Sequence, residues 1–562
     1  MWVAATVAAA LVVAACGGSP SHAKYDIAPT SVVLSPGQST QLSVSGNTDV
    51  VWGLEEAGTG TTGATATTPT YPLKVSANGR YLVDAQDQPW RIQADAAWLI
   101  SSEATPEQLD AYLSTREAQG FNSFYLMAIV HGGGYGEAPH APNDLAGDPP
   151  FATPGDFSTA GATPASARYW EWIDTIIDRA AAHHMVVMLA YTYLGWSGGQ
   201  MGWYQEILAQ RDRQALYDWG LWLGNRYKDK PNIIWFGLGD FNPPAGSEGA
   251  LRVRAIADGI KAAGAIQPFM SEPSPPDTLS TDVPDFKPVL GTNSFYGYGP
   301  DGIGTVYETA DRAWRVSPPL PAWMQEGTYE SENNWGHFSG KPWDTRRGRF
   351  WSVLAGGTAG DGFGSAEVWK WHDIPKSLSS PGATYATAAF NLFASLPWWA
   401  LEPSGTDPGF TGVNLIPSGA GTWGKLDYIT SARTTGHDWL LAYVPVTDKG
   451  ARTFTVDMTA MAGPTRARWF DPATGDYLAI SEGYSDANTG TKEFTTPGRR
   501  DDGTDDWLLV LDSSGPAPCG SISPSGVYTA PTAVPAGVDC EVTATLASDP
   551  SVTVDAAVTV RS

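Results

Sequence analysis

The sequence predicts a multidomain chain in which a (β/α)8 TIM barrel is joined to all-β sandwich modules. Three observations carry that expectation. Between Leu73 and Ser404, apolar runs of strand length alternate with amphipathic helical stretches, the pattern of a parallel sheet built from βα units. On either side, apolar and polar residues alternate with a period of two, as in half-buried antiparallel strands. A chain of 562 residues leaves room for three or four domains of about 150 residues each. Composition bounds the partners. Lys and Arg number 34 against 59 Asp and Glu, and the net charge of -25 repels nucleic acid and anionic lipid. No nucleic-acid partner is expected, and any membrane contact would have to pass through an anchor. The 24 Trp and 22 Tyr exceed what cores usually need, and exposed rings beside carboxylates commonly line sugar sites.

In chain order, residues 1–24 come first. Trp2 to Ala15 is apolar but shorter than the roughly 20 residues of a spanning helix. Val13-Ala14-Ala15-Cys16 resembles a bacterial lipobox, although no Lys or Arg precedes the apolar run. The resemblance implies a cleaved signal peptide, lipidation at Cys16 and an extracellular, cell-surface lipoprotein of a bacterium. Cys519 and Cys540 then remain as an even pair in an oxidising compartment, where a disulfide is the natural reading and free thiols the alternative. Residues 25–57 read as strands, and 58–71, rich in Gly, Thr and Ala, as a linker. Residues 516–562 carry the same strand signature, with Val552, Val554, Ala556, Val558 and Val560 on one face. Neither piece is long enough to bury a sandwich core alone. Together they are, and Gly520-Ser521-Ile522-Ser523-Pro524-Ser525-Gly526-Val527-Tyr528-Thr529-Ala530-Pro531 resembles a bacterial Ig-like domain motif. One Ig-like domain split by an insertion is therefore expected, with two separate small β modules as the alternative.

Residues 72–404 are the expected barrel. Its strands read as Arg91–Asp95, Phe121–Ile129, Met185–Tyr191, Ile233–Asp240, Phe269–Glu272, Val289–Tyr296, Ala322–Glu326 and Gly360–Ala366. Thr105-Pro106-Glu107-Gln108 is a capping box that opens a helix to Gln119. Further helices read as Arg168–His183, Arg213–Tyr227, Gly249–Ala263, Trp343–Ala355 and Ala383–Leu396. The long stretch from His131 to Ala165 is expected to fold over the barrel mouth.

In such a barrel the chemistry gathers at the C-terminal strand ends. There the sequence places Asp95 and Trp98, Tyr193 and Trp196, Asp240 and Asn242, Glu272, Tyr296, Glu326 and Asp361 in turn. No His/Cys cluster has zinc-ligand spacing, no loop has the phosphate-cradling pattern, and no Ser stands in a nucleophile elbow. No metal or cofactor is expected. Carboxylates facing each other across a barrel are the minimum for glycoside hydrolysis, one as proton donor and one as nucleophile or base. Glu330 competes with Glu326 for the second role, and Glu272 is a third candidate. His131, Tyr296 and Trp369 are candidate sugar contacts that could equally be packing or surface residues.

Three ordered motifs go further. They are Pro72-Leu73-Lys74-Val75-Ser76 running to Trp98, Asn225-Arg226-Tyr227-Lys228-Asp229-Lys230-Pro231-Asn232-Ile233-Ile234-Trp235 with Gly239-Asp240, and Glu326-Gly327-Thr328-Tyr329-Glu330. From about Tyr71 to Ser404 the chain resembles the apiosidase-like catalytic domain, glycoside hydrolase family 140. The resemblance implies a barrel glycosidase with Asp240 as acid/base and Glu326 as nucleophile, acting on a polysaccharide or oligosaccharide to release a terminal apiose or another pentoside. Tyr329 joins the candidate substrate contacts through this motif. Ser271-Glu272-Pro273 departs from the family, where a His-Pro pair is expected. Residues 405–513 resemble the β-sandwich such proteins carry, labelled collagen-binding, through Trp469-Phe470-Asp471-Pro472-Ala473-Thr474-Gly475 and Trp507-Leu508-Leu509-Val510-Leu511. The rival reading is a surface adhesin that binds collagen or glycan through its β modules.

Overall fold

The computed structural model describes residues 69–513, apart from 133–136, 200, 299–305, 335–337, 405–412 and 482, and separate strands within 27–57 and 521–560. Cys16, Cys519 and the side chain of Cys540 lie outside the described residues, as does most of the linker.

Eight parallel strands form the barrel: β1 (Ile92–Asp95), β2 (Ser123–Met127), β3 (Val186–Ala190), β4 (Ile233–Leu238), β5 (Phe269–Glu272), β6 (Asn293–Tyr296), β7 (Ala322–Glu326) and β8 (Gly360–Phe363). They pair in the order β5-β4-β3-β2-β1-β8-β7-β6. At the remaining seam the Gly291 N–H donates to the Phe269 carbonyl at 2.7 Å, and the Ser294 hydroxyl donates to the Ser271 carbonyl. These strands are buried on both faces, which is why they read as apolar runs rather than alternating ones.

The principal helices are α1 (Pro106–Ala118), α2 (Pro164–Ala182), α3 (Arg213–Tyr227), α4 (Glu248–Ala262), α5 (Val306–Trp314), α6 (Pro342–Leu354) and α7 (Pro381–Ala394). Thr105 and Thr163 form reciprocal capping boxes ahead of a Pro at the first helical position, so α1 and α2 start where their free N–H groups are already satisfied. Two sequence expectations need correction. α5 was not foreseen, and the sixth strand opens at Asn293 rather than Val289. Lys287–Val289 is a 3-10 turn around Pro288, which has no N–H to give a ladder. Much of the aromatic surplus also proves to be core: Trp170 and Trp219 are fully buried, and Trp219 stacks on Trp222 at 5.3 Å.

Beyond the barrel, an antiparallel sheet runs in the order β9-β10-β11-β16-β13-β14, covered by an antiparallel pair, β12 and β15, whose two strands are not consecutive in the chain. The strands are β9 (Leu401–Pro403), β10 (Thr430–Thr434), β11 (Trp439–Val444), β12 (Thr453–Asp457), β13 (Arg466–Phe470), β14 (Tyr477–Ala479), β15 (Thr491–Thr495) and β16 (Trp507–Asp512). Leu440, Ala442, Leu509 and Leu511 face the sandwich interior, whereas Leu441, Tyr443, Leu508 and Val510 join one core with Phe350 and Trp351 of α6 and Phe393 of α7. Arg346 of α6, fully buried, donates to the Asp506 carboxylate at 2.8 and 2.9 Å and to the Thr504 hydroxyl at 2.7 Å.

Strands from the two chain ends pair with one another. Residues 50–57 run antiparallel to 539–546, 539–546 pair with 549–560, and 31–34 run parallel to 557–560. Residues 39–41 pair with 527–529.

Candidate active site

At the C-terminal end of the barrel, β4 runs out into Leu238, Gly239 and Asp240, all three with positive φ (64°, 119° and 54°). A side chain at Gly239 would put its Cβ 2.3 Å from the Tyr193 ring, so this position requires glycine both for its φ and for its space. The turn delivers the Asp240 carboxyl to two phenols. Tyr193, after β3, donates to one oxygen, and Tyr296, at the end of β6, donates to the other. Consecutive strained residues at a strand end are a feature of functional sites.

Across the barrel, β7 ends at Glu326. A register shift between Phe295 and Tyr296 sets Tyr296 directly opposite it in the ladder. The Tyr329 hydroxyl donates to Glu326 Oε2 at 2.9 Å and accepts from the Trp98 indole N–H at 3.0 Å. Tyr298 also bonds to the Glu326 carboxyl. Each carboxyl is thus held by two tyrosines. Gly364 makes room for Tyr329, since a Cβ there would lie 2.2 Å from its ring. Glu330, the competitor in the same motif, is buried and turned away. It accepts from the Ser380 hydroxyl and the Gly382 N–H, bracing the start of α7.

Both carboxyls line one cavity of about 470 Å³ together with Glu272, Trp98, Tyr193, Trp196, Tyr296, Tyr329 and Trp369. Trp196 is 44% exposed and stands at the rim. Glu272 is only 2% exposed, and its Oε2 has no hydrogen-bond partner in the protein. Three carboxyls thus line one cavity. Burial raises Asp240, against the two phenol bonds that lower it. Burial and then the charge of Asp240 push Glu326 up to about 8, opposed by Tyr329 and Tyr298. Glu272 is raised well above the carboxylate range by burial and by both neighbouring charges.

Four expected sugar contacts lie elsewhere. Asp95 is fully buried and accepts from Arg116 at 2.7 Å and Tyr112 at 2.9 Å. Asp361 is fully buried between Arg91 and Arg349. Neither carboxylate lines the cavity, and both serve in ion pairs instead. Asn242 exchanges two bonds with Ser274, tying the β4 and β5 loops together. His131 lies 3.2 Å from Glu206 in a separate cavity under the 131–165 stretch. That stretch packs Phe151 and Phe157 onto Trp203 and Trp219, so its middle is anchored against the helices rather than laid across the mouth.

The cavity also holds residues that the sequence reading missed: Tyr298, Glu332, Met127, Met201 and Pro275. Tyr298 follows Tyr296 at a spacing of two, which would have put it on the same side of an extended segment. Glu332 accepts from the Trp369 indole N–H at 2.6 Å and pairs with Lys370 at 3.2 Å, and nothing in its local sequence marks it.

A family model described as "Apiosidase-like, catalytic domain" matches residues 76–400, and one described as "Putative collagen-binding domain of a collagenase" matches residues 420–512. A solved structure titled "Glycoside hydrolase" superposes with a TM-score of 0.64 at 21% identity, covering 80% of this chain and 97% of its own. A glycoside hydrolase family 5 protein from Bacteroides vulgatus ATCC 8482 gives 0.64 at 20% identity, covering 79% and 94%. At these identities the likeness is one of fold. No curated protein matches the chain.

Proposed function

The chain belongs to the apiosidase-like family of glycosidases, and on that footing we propose that it removes a terminal pentosyl residue from a polysaccharide by double displacement. Asp240 protonates the departing glycosidic oxygen while Glu326 attacks the anomeric carbon. Water then releases the sugar from the Glu326 ester, with Asp240 as the base. The observation that carries this reading is the pair of carboxyls at the ends of β4 and β7, opening into one cavity and each gripped by two tyrosines.

The mechanism needs the pair to hold a single proton, placed on Asp240. Burial of both groups, and the Asp240 charge acting on Glu326, favour a singly protonated pair over the doubly charged state. A cavity of about 470 Å³ falls toward the small end of the usual range of roughly 300–1,000 Å³, which supports a terminal residue rather than a long chain as the bound sugar.

The test is sugar release from a panel of plant and bacterial polysaccharides by the wild type, Asp240→Asn and Glu326→Gln. Both variants should lose roughly 10³-fold or more in turnover while keeping the wild-type melting profile. Near-normal rates in either would overturn the assignment. Product NMR should show retained anomeric configuration.

Three further readings accompany this one. The lipobox-like run ending at Cys16 supports export and a lipid tether, to be checked by palmitate labelling that Cys16→Ser abolishes. The cross-pairing of the end strands supports a single split Ig-like domain. The match of residues 420–512 to a collagen-binding model favours an additional adhesive role for the sandwich, which a collagen pull-down with the full chain would detect.

A further inference from the structure

Glu272, at the end of β5, is a carboxyl to which the two-carboxylate mechanism gives no part. It lines the catalytic cavity, yet it is 2% exposed and its Oε2 has no hydrogen-bond partner in the protein. A buried carboxyl costs stability unless something supplies the missing bond. The cavity wall offers no cation to do so: among the described residues, Asp240, Glu272, Glu326 and Glu332 line it, and no Lys, Arg or His does. Burial and the neighbouring charges of Asp240 and Glu326 instead keep a proton on Glu272. A protonated carboxyl donates from one oxygen and accepts at the other, which is the complement of a neutral hydroxyl.

The fold fixes where that hydroxyl must stand. Around the barrel wall, β5 and β6 occupy the short arc between β4, which carries Asp240, and β7, which carries Glu326. Glu272 is the ladder partner of Leu238, and its carbonyl accepts from the Gly239 N–H at 3.1 Å. The Tyr296 hydroxyl, which donates to Asp240, and the Asp240 N–H both stand beside the Glu272 carboxyl. Beyond it, Asn242 and Ser274 exchange hydrogen bonds at 2.8 and 3.0 Å, so this strand end is braced against the turn that carries Asp240. Glu272 is thus held next to both reacting carboxyls, and the anomeric carbon lies between those two in a double displacement. The sugar hydroxyl nearest that carbon is the one on the adjacent carbon. We propose that Glu272 is a specificity-determining residue that hydrogen-bonds the 2-hydroxyl of the terminal sugar, so that only sugars with this hydroxyl free are processed. The proposal rests on the glycosidase reading and names the feature of the sugar that the cavity selects. Bonds to this hydroxyl strengthen as charge develops at the anomeric carbon, so their loss falls on kcat more than on KM.

The experiment is a double cycle in enzyme and substrate, run on the full chain with a set of nitrophenyl pentosides and their 2-deoxy analogues. In the wild type, removing the hydroxyl should lower kcat/KM by at least about 100-fold, mostly in kcat. In Glu272→Leu the intact substrate should lose as much, and removing its hydroxyl should then cost less than about threefold. Glu272→Gln keeps a donor and an acceptor in the same place and should recover at least about tenfold of that loss. A purely structural role would leave the deoxy penalty as large in Glu272→Leu as in the wild type, and that result would overturn the proposal. So would equal losses in the Gln and Leu variants. Calorimetry on Glu326→Gln reads binding of the same compounds without turnover. The intact glycoside should bind at least about tenfold more tightly than its 2-deoxy analogue, and the difference should vanish in Glu326→Gln/Glu272→Leu. Equal binding of the two, or no binding at millimolar glycoside, would overturn the proposal. The binding difference without any turnover by the wild type would sink the glycosidase reading alone, whereas sugar release with no deoxy penalty would sink only the role of Glu272.

Discussion

At the residue scale, proton placement governs the site. The phenol bonds from Tyr193 and Tyr296 stabilise ionised Asp240, so removing one raises its pKa further. Tyr193→Phe should lower turnover roughly 10- to 100-fold, the value of one hydrogen bond to a charged group. It should also move the alkaline limb of the pH-rate profile to higher pH. An unmoved limb would show that Asp240 does not carry the catalytic proton. Glu272 makes a prediction about stability. Its pKa is raised on folding, so the folded state binds its proton more tightly than the unfolded chain does. Its contribution is therefore complete below about pH 4 and is lost as pH rises toward the folded value. Melting temperatures of the wild type and Glu272→Gln should diverge in the variant's favour between pH 5 and pH 9. A constant gap would mean that Glu272 is ionised throughout.

At the scale of elements, the strands were legible because they depend on local pattern. Eight apolar runs and the capping box at Thr105 each announce themselves within a few residues, whereas the turn at Gly239-Asp240 was read as a continuation of the fourth strand, which ends at Leu238. The roles of Asp95 and Asp361 were not legible. A carboxylate at a strand end looks the same in sequence whether it meets a sugar or a guanidinium, and its partners Arg116, Arg91 and Arg349 come from elsewhere in the chain. Glu332 was missed for the complementary reason, because its position follows from how the β7 loop folds, whereas Tyr298, two residues after Tyr296, carried a local signal that went unread. Asp361 ties β8 to α6 through Arg349 and to the residue before β1 through Arg91. Asp361→Asn would leave two guanidinium groups buried without a counter-charge, at a cost of about 3–5 kcal/mol. Urea denaturation should show that loss with little change in the activity of the folded fraction.

At the scale of the whole molecule, the barrel and the sandwich share one core. Leu441, Tyr443, Leu508 and Val510 pack on α6 and α7, and Arg346 is sealed against Asp506. This is why Trp507–Leu511 reads as an unbroken apolar run: both faces of that strand are covered. A chain ending after Ser404 would expose this face and should aggregate, whereas one ending after Ser513 should keep the barrel's melting transition and its activity; solubility and calorimetry distinguish the two. The pairing of the chain ends has a consequence for biosynthesis. The strand at residues 50–57 leaves the ribosome early, yet its neighbour at 539–546 is made more than 480 residues later. At about 5–20 residues per second, the first strand spends on the order of 25–100 s without the edge it will pair with. The pairing of the two chain ends can therefore be completed only after all of the barrel and the sandwich has been synthesised.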